Sequence, residues 1–223
     1  MEGGGGGVGG ADGGTYATGG GGGGVAPVHD RWAGVVRVVD NKFEPKTAEV
    51  SVGDTVTYVV NRNINYTNLC YFKCGFCAFS KGPKSLNLRG DPYLMGLDEI
   101  VGLAKEAYDR GATEVTLQGG IHPDFTGNFY REVVESIKSE MPDMHIHGFT
   151  PLEVWQGAET LGISVHQFLT ELRDAGLGTL PGTAAEILDD DVRTHLCPDK
   201  IRTSQWAEVM ITAHELGLRA TST

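Results

Sequence analysis

The sequence predicts an α/β fold: strand–helix units of a parallel (βα) barrel, preceded by a short β-rich segment and a disordered glycine-rich tail. Three observations predict it. Strand-length and helix-length apolar patterns alternate from residue 56 onward, β-branched residues dominate the segment before that, and glycine dominates the start of the chain. Repeated strand–helix units joined by right-handed crossovers form a parallel sheet that curls into a barrel. We therefore divide the chain into residues 1–30, 31–55 and 56–223.

Residues 1–30 are predicted to be a disordered tail. Most of the positions from Met1 to Gly24 are glycine, and such a segment buries too little apolar surface to offset the entropy lost on ordering. A phosphate-binding glycine loop needs a strand before it and a helix after it, and neither pattern is present here.

Residues 31–55 are predicted to form short strands, because valines recur from Val35 to Val39 and again from Val50, with a turn at 40–45. The stretch 38–57 resembles the opening strands of cupredoxins. A blue-copper site needs two histidines and a cysteine, and no histidine occurs between His29 and His122. We expect a β-segment without copper.

Residues 56–223 are predicted to contain five strands with helices between them. Helical apolar spacing ends at Gly111, near Pro142, at Gly176 and at Gly217, which are the residues expected where helices stop. Ser164 and Gln167 form a potential capping box. The predicted strands are 56–68, 114–118, 144–149, 177–180 and 218–223.

Three of the four cysteines lie in one short run, Cys70-Tyr71-Phe72-Lys73-Cys74-Gly75-Phe76-Cys77. Thiolates bind iron–sulfur clusters and structural zinc, and this spacing lets one loop surround a single inorganic centre. Three ligands are too few to complete the coordination of either kind of site. Zinc would need a fourth ligand, such as His145 or His147, whereas a 4Fe-4S cluster held by three cysteines leaves one iron open.

The C-x3-C-x-aromatic-C run, with Phe76 as the aromatic residue, resembles the signature of radical S-adenosylmethionine (SAM) enzymes. The flanking residues 61–68 and 78–82 are similar to FO synthase, in the part that joins tyrosine to ribityl-diaminouracil in coenzyme F-420 (deazaflavin) biosynthesis. The motifs at 118–124, 181–188 and 197–200 resemble the same family. The resemblance runs from about Val56 to the last residue.

The resemblance implies a transferase with a 4Fe-4S cluster and SAM as cofactors. Cys70, Cys74 and Cys77 would ligate the cluster. One electron would cleave SAM to a deoxyadenosyl radical, and the hydroxybenzyl group of tyrosine would join 5-amino-6-(D-ribitylamino)uracil. Further residues that would bind SAM are Gln118, Gly119, Gly120 and Glu186.

Some of these residues also have ordinary structural interpretations. Gln118-Gly119-Gly120 could be a strand-to-loop turn, and Thr183-x-x-Glu186 could be a helix capping box. His122 and His147, at predicted strand ends, could meet substrate or be structural. The remaining candidates are expected to be solvated or structural, namely Arg62, Lys73 and Cys197.

The resemblance also implies about six strand–helix units, so this chain would stop inside the fifth. An incomplete fragment, or a non-catalytic metal-binding module, is therefore an alternative. A futalosine-pathway radical SAM enzyme of menaquinone synthesis is another alternative, although the asparagine-rich lead-in favours FO synthase. The implied partners are an electron donor such as ferredoxin or flavodoxin and the companion FO synthase half.

Composition excludes some classes of partner. The net charge of −11 argues against nucleic acid and anionic membrane, which both favour basic patches. No apolar stretch approaches the roughly 20 residues that span a bilayer, and no signal peptide opens the chain. Clustered cysteines indicate a reducing compartment, so we expect a cytoplasmic location.

Overall fold

A computed structural model describes residues 35–39, 42–44, 57–72, 74–75, 77 and 91–221. The predicted tail, residues 1–30, lies outside the described residues, as does all of the segment 45–55. The described strands form one sheet in the order β2-β1-β3-β4-β5-β6-β7. Strands β3 to β7 are parallel neighbours in chain order, so the predicted five-stranded parallel arrangement is confirmed.

The strands are β1 (Val35–Val39), β2 (Lys42–Glu44), β3 (Thr57–Asn65), β4 (Glu114–Gln118), β5 (His145–Gly148), β6 (Thr179–Leu180) and β7 (Arg219–Ala220). The helices are α1 (Leu97–Asp109), α2 (Gly127–Glu140), α3 (Pro151–Leu161), α4 (Val165–Ala175), α5 (Asp190–Leu196) and α6 (Thr203–Glu215). Each pair of successive barrel strands from β3 to β7 is joined through at least one helix. This is the α/β arrangement that the alternating pattern predicts.

The segment 35–44 belongs to the same sheet as the barrel strands. Strand β1 pairs parallel with β3, from Val35 opposite Thr57 to Val38 opposite Val60, and β2 pairs antiparallel with β1. The β-rich segment therefore extends the sheet beyond β3.

Apolar residues of the strands face the helices. Residues at every second position of β3, β4, β5 and β6 are buried with residues of α1, α2, α3, α4 and α6 in one core. These strand residues are Ile64, Val115, Leu117, Ile146 and Leu180. The alternate residues lie on the opposite side of the sheet, which we call the inner face, and they are polar from Asn61 onward in β3 and throughout β4, β5 and β6.

Two helices were not predicted from the sequence. Helix α3 begins at a complete capping box in which Thr150 and Glu153 exchange hydrogen bonds, with Pro151 in the first turn, and it ends at Gly162 in a left-handed conformation. Helix α5 begins where the Asp189 carboxylate accepts from the backbone of Asp191 and Val192. Both starts were readable from local sequence.

The predicted cap of α4 is confirmed in part. The Ser164 hydroxyl accepts from the backbone N–H of Gln167 at 3.1 Å, whereas the Gln167 side chain bonds to Glu171. None of the helices in the described part of the chain has the length and hydrophobicity needed to cross a bilayer.

Candidate cofactor site

One cavity of about 340 Å³ opens at the carboxyl ends of β3 and β4. Its walls include the three clustered cysteines and Gln118, Gly119 and Gly120, together with Thr183 and Lys200 from later loops. Active sites of parallel β/α barrels lie at this end of the sheet, because the loops that follow the strands meet there. The structure therefore brings the predicted cluster ligands and three of the predicted SAM-binding residues together.

The cysteine loop is held to two other parts of the chain. The Tyr71 N–H donates to the Ile121 carbonyl at 3.1 Å, and the Gly75 N–H donates to the Leu196 carbonyl at 2.9 Å. Cys70, Cys74 and Cys77 are all free thiols and partly exposed. These backbone bonds fix the loop, and the Cys70 sulfur accepts further hydrogen bonds from the backbone of Ile121 and Phe72.

Burial makes the thiols harder to ionise. It raises the pKa of the Cys70 thiol, and it raises the pKa of the Cys74 thiol to about 12. The Lys200 ammonium opposes both shifts, since its positive charge favours thiolates. A metal that binds these sulfurs would displace the protons.

The two histidines considered as zinc ligands do not join the cysteines in the cavity wall. In the described part of the chain, no three Cys, His, Asp or Glu side chains are grouped as ligands of one metal ion. A cluster distributes its ligands over several iron atoms, so its sulfur ligands need not meet at one point. His145 and His147 instead bond to Thr179 at 2.8 and 2.7 Å on the inner face, and neither lines the cavity. The geometry gives no support to the zinc alternative.

Gly119 and Gly120 must be glycine because other parts of the chain lie too close for a side chain. A Cβ atom at Gly119 would lie 2.4 Å from the Tyr66 ring, and one at Gly120 would lie 2.1 Å from the Leu69 carbonyl oxygen. The two missing side chains therefore make room for the protein itself, while the backbone of both residues lines the cavity. Their contact with SAM stays a prediction.

A buried carboxylate supports this glycine turn. Glu153 is fully buried, and it accepts hydrogen bonds from the Tyr66 hydroxyl, from the Gly119 N–H at 3.2 Å and from the Thr150 N–H at 2.7 Å. Burial raises the pKa of its carboxyl to about 8, although the two backbone donors oppose the shift. Sequence reasoning missed Glu153, even though the capping box with Thr150 signals it.

Glu186 lies beside the cavity wall in a strained loop. Ala184 and Glu186 have φ values of 68° and 42°, in the left-handed region. The Glu186 carboxylate pairs with Lys200 at 2.6 Å and lies 3.7 Å from the guanidinium of Arg193. No helix begins at Thr183, so the capping-box interpretation of Thr183 and Glu186 is wrong; α5 is capped by Asp189.

Arg193 holds the backbone of this loop. Its side chain is 1% exposed and donates to the carbonyls of Ala185 at 2.6 Å, Ile187 at 3.1 Å and Ile201 at 2.7 Å. Sequence analysis did not single it out, because all of these partners are carbonyls and carry no residue-type signal.

Thr183 is unusual among the cavity residues. Its hydroxyl oxygen is buried and has no hydrogen-bond partner within the described residues. Its backbone carbonyl accepts from the Trp206 indole at 3.2 Å, which fixes the residue in the wall. A buried hydroxyl without a partner costs free energy, so a ligand that supplies a hydrogen bond fits this position.

The other candidate residues that the structure describes lie outside the cavity wall. His122 accepts from the Asp124 N–H at 3.2 Å and packs against Phe125, which is a local structural role. Arg62 shares the helix-facing side of β3 with Ile64, and Lys73 lies outside the described residues. Cys197 is buried after α5, close enough to raise the pKa of Cys74. The fourth cysteine is thus near the loop in space but does not line the cavity.

Comparison with known proteins gives consistent results. The sequence profile of the Radical SAM superfamily matches residues 64–223. FO synthase of Streptomyces avermitilis is 48% identical over 175 residues, which cover 78% of this chain and 20% of that protein. The 5-amino-6-(D-ribitylamino)uracil–L-tyrosine 4-hydroxyphenyl transferase of Methanothermobacter thermautotrophicus is 46% identical, covering 78% of this chain and 47% of that protein. The chain thus spans about half, or less, of the length of these relatives.

Solved structures agree in fold. The crystal structure of methylornithine synthase superimposes with a TM-score of 0.54 at 18% identity, covering 73% of this chain and 43% of that one. A maturase of FeFe-hydrogenase gives 0.51 at 13% identity, covering 71% and 33%. At such low identity, these likenesses concern the fold alone.

Proposed function

This chain belongs to the radical SAM superfamily, and on that premise we propose that it is the part of an FO synthase that joins the hydroxybenzyl group of tyrosine to 5-amino-6-(D-ribitylamino)uracil. The observation that carries the proposal is the 46–48% identity to proteins named for this activity, over a stretch of 175 residues. The futalosine-pathway alternative has no comparable support among these relatives.

The cofactors of the superfamily are a 4Fe-4S cluster and SAM. Cys70, Cys74 and Cys77 would hold the cluster, because all three line one cavity and none is in a disulfide. When bound, the cluster and SAM supply the one-electron chemistry that protein side chains lack. The cysteine loop contributes a fixed position for the cluster at the mouth of the barrel.

SAM would lie between the cysteine loop and the segment Gln118-Gly119-Gly120. The backbone of this segment lines the cavity and is held by Glu153 and Tyr66. Across the cavity, the Thr183 hydroxyl has no partner in the described part of the chain and could bond to a ligand. Glu186 would act from the rim, where it now pairs with Lys200.

The chain's own contribution is positioning and exclusion of water. Phe72, Ile121 and Leu152 form part of a small apolar cluster at the cavity, so they shield one wall from solvent. A water-poor, pre-formed wall protects reactive species and orients the reactants.

The remaining functional expectations follow from this assignment. An electron donor such as ferredoxin or flavodoxin would reduce the cluster, and the companion half of FO synthase would complete the activity. The complete protein would be a full barrel in the cytoplasm.

Anaerobic iron–sulfur reconstitution, followed by electron paramagnetic resonance with and without SAM, tests the cofactor assignment. We expect a reduced four-iron signal that shifts when SAM is added, and loss of bound iron in Cys74→Ala. Cys197→Ala is the matched control and should retain the iron, because Cys197 does not line the cavity.

Product analysis then tests the reaction. The reconstituted chain, supplied with tyrosine, ribityl-diaminouracil, SAM and a reductant, should form the adduct. A chain that holds the cluster and binds SAM but yields no adduct would rule out the FO synthase reaction for this chain while leaving its cofactor site intact.

A further inference from the structure

The inner face of the sheet is polar from Asn61 of β3 across β4, β5 and β6. Interiors of packed β/α barrels are usually filled by branched apolar side chains. Here every alternate residue on that face carries a hydrogen-bonding group, from Asn61 to the end of β3 and throughout β4, β5 and β6. On the helix-facing side of the same strands the buried residues are apolar, whereas Arg62 is half-buried. The inner-face residues are Asn61, Asn63, Asn65, Glu114, Thr116, Gln118, His145, His147 and Thr179.

The strand register arranges these side chains in three rows. Asn65 lies opposite Gln118 at the top, Asn63 lies opposite Thr116 in the middle, and Asn61 lies opposite Glu114 at the bottom. Two residues separate successive rows on each strand, so the three rows span roughly 13 Å. The top row and Asn63 line the cavity that contains the cysteines.

The lower part of this face is a hydrogen-bonded network. Asn61 donates to Glu114 and to Thr116, the latter at 2.7 Å. The Thr179 hydroxyl bonds to the rings of His145 and His147, and it can donate to only one of them while accepting from the other. Each group has a fixed direction, as a surface that recognises hydroxyl groups requires.

The upper amides are unused. Within the described residues, the side chains of Asn63, Asn65 and Gln118 make no hydrogen bond, although the backbone carbonyl of Asn65 accepts from Tyr93. A primary amide offers one acceptor and two donors side by side. That pattern complements the carbonyl and N–H groups on the edge of a uracil ring.

Charge discriminates between the two substrates of the proposed reaction. Tyrosine carries an ammonium and a carboxylate, and the latter needs a cationic partner when it leaves water. The inner-face residues of β3 to β6 include neither Lys nor Arg, and the Arg219 side chain of β7 lies opposite Thr179, at the edge of the sheet away from the three amides. The diaminouracil is a neutral, hydroxyl-rich molecule, which suits a wall of amides, hydroxyls and imidazoles whose one carboxyl group, Glu114, lies in the bottom row and accepts from Asn61.

Building on the proposed function, we infer that the inner face of β3 to β6 is the binding site for the ribityl-diaminouracil. The amides of Asn63, Asn65 and Gln118 bind the uracil ring near the cysteines. The ribityl chain extends down the sheet along Thr116, His147 and Thr179. Tyrosine binds elsewhere in the cavity.

Binding measured by anaerobic calorimetry on the whole chain tests this assignment. In the double variant Asn63→Leu/Asn65→Leu, the affinity for ribityl-diaminouracil should fall at least tenfold, while the SAM and tyrosine affinities of the reconstituted chain should change less than twofold. Asn128→Leu, the same replacement at an exposed position on α2, is the matched control. Unchanged diaminouracil binding in the double variant would overturn the inference, as would a selective loss of tyrosine binding.

A second variant tests the position of the ribityl chain and protects against misfolding of the first. Thr179→Val keeps the side-chain shape and removes the hydroxyl. This substitution should weaken the binding of ribityl-diaminouracil several-fold. It should leave the binding of 5,6-diaminouracil, which lacks the ribityl chain, unchanged. Equal losses for both compounds, or none for either, would overturn the predicted orientation. The product assay on the unmodified chain tests the proposed reaction separately. If that chain forms the adduct but both variants bind ribityl-diaminouracil normally, only the inner-face site is refuted.

Discussion

Replacing Glu153 with glutamine should change how the stability of the chain depends on pH. The carboxyl is fully buried, and burial raises its pKa from 4.5 to about 8. The folded state therefore holds this proton more tightly than the unfolded state does. The resulting stabilisation is complete below about pH 4.5 and is lost as the pH rises through about 8.

The interval between 4.5 and about 8 corresponds to at most about 5 kcal/mol, at 1.36 kcal/mol per pH unit. Glutamine resembles the protonated acid in shape but does not ionise. We therefore expect Glu153→Gln to gain stability relative to the wild type as the pH rises from 5 to 9. At pH 5 the wild type should be as stable as Glu153→Gln or slightly more stable. In the variant, the glutamine NH2 group must face the N–H of Thr150 or of Gly119, and two donors cannot bond to each other.

Urea unfolding at several pH values, under reducing conditions, measures this difference. The other titratable groups are common to both proteins, so the difference between their unfolding free energies isolates Glu153. Glu135→Gln, at an exposed position on α2, should give a curve parallel to the wild type. A parallel curve for Glu153→Gln as well would show that the buried carboxyl does not titrate in this range and would refute the reasoning.

Two further substitutions test the walls of the site by urea unfolding. Arg193→Met removes the donor from three carbonyls, two of them in buried hydrogen bonds, and should destabilise the chain by about 3–5 kcal/mol. Arg173→Met, at an exposed ion pair, should change the stability by no more than about 0.5 kcal/mol. Equal effects would contradict the role of Arg193. Gly119→Ala places a Cβ 2.4 Å from the Tyr66 ring and should cost about 1–3 kcal/mol. Gly102→Ala, with open space inside α1, should stabilise by roughly 0.5–1 kcal/mol, and a neutral Gly119→Ala would mean that the turn can move.

Local sequence patterns were sufficient for most of the fold. Apolar periodicity and glycine stops predicted β4, β5, α1, α2, α4 and α6, because these signals depend only on residues near one another in the chain. Helix α3 was missed although Thr150 and Glu153 form its capping box. This capping box is a local signal and was present in the sequence.

The candidate site divides in the same way. The cysteine run could be interpreted from the sequence alone, because three thiols at that spacing predict the ligands of an inorganic centre. The glycines at 119 and 120 were also conspicuous. The reason that both must be glycine could not be predicted, because Tyr66 and Leu69 approach them from the segment that follows β3.

The sequence by itself determined the order of strands and helices, the cysteine loop and the family resemblance, because each is written in residues close together along the chain. Only the tertiary structure decided that Glu153 supports the glycine turn, that Arg193 holds the carbonyls of a distant loop, and that Asn63, Thr116 and His147 share one polar face. These relations depend on which strands are neighbours and in what register. A shift of one residue in any strand would move its polar side chains from the inner face into the core.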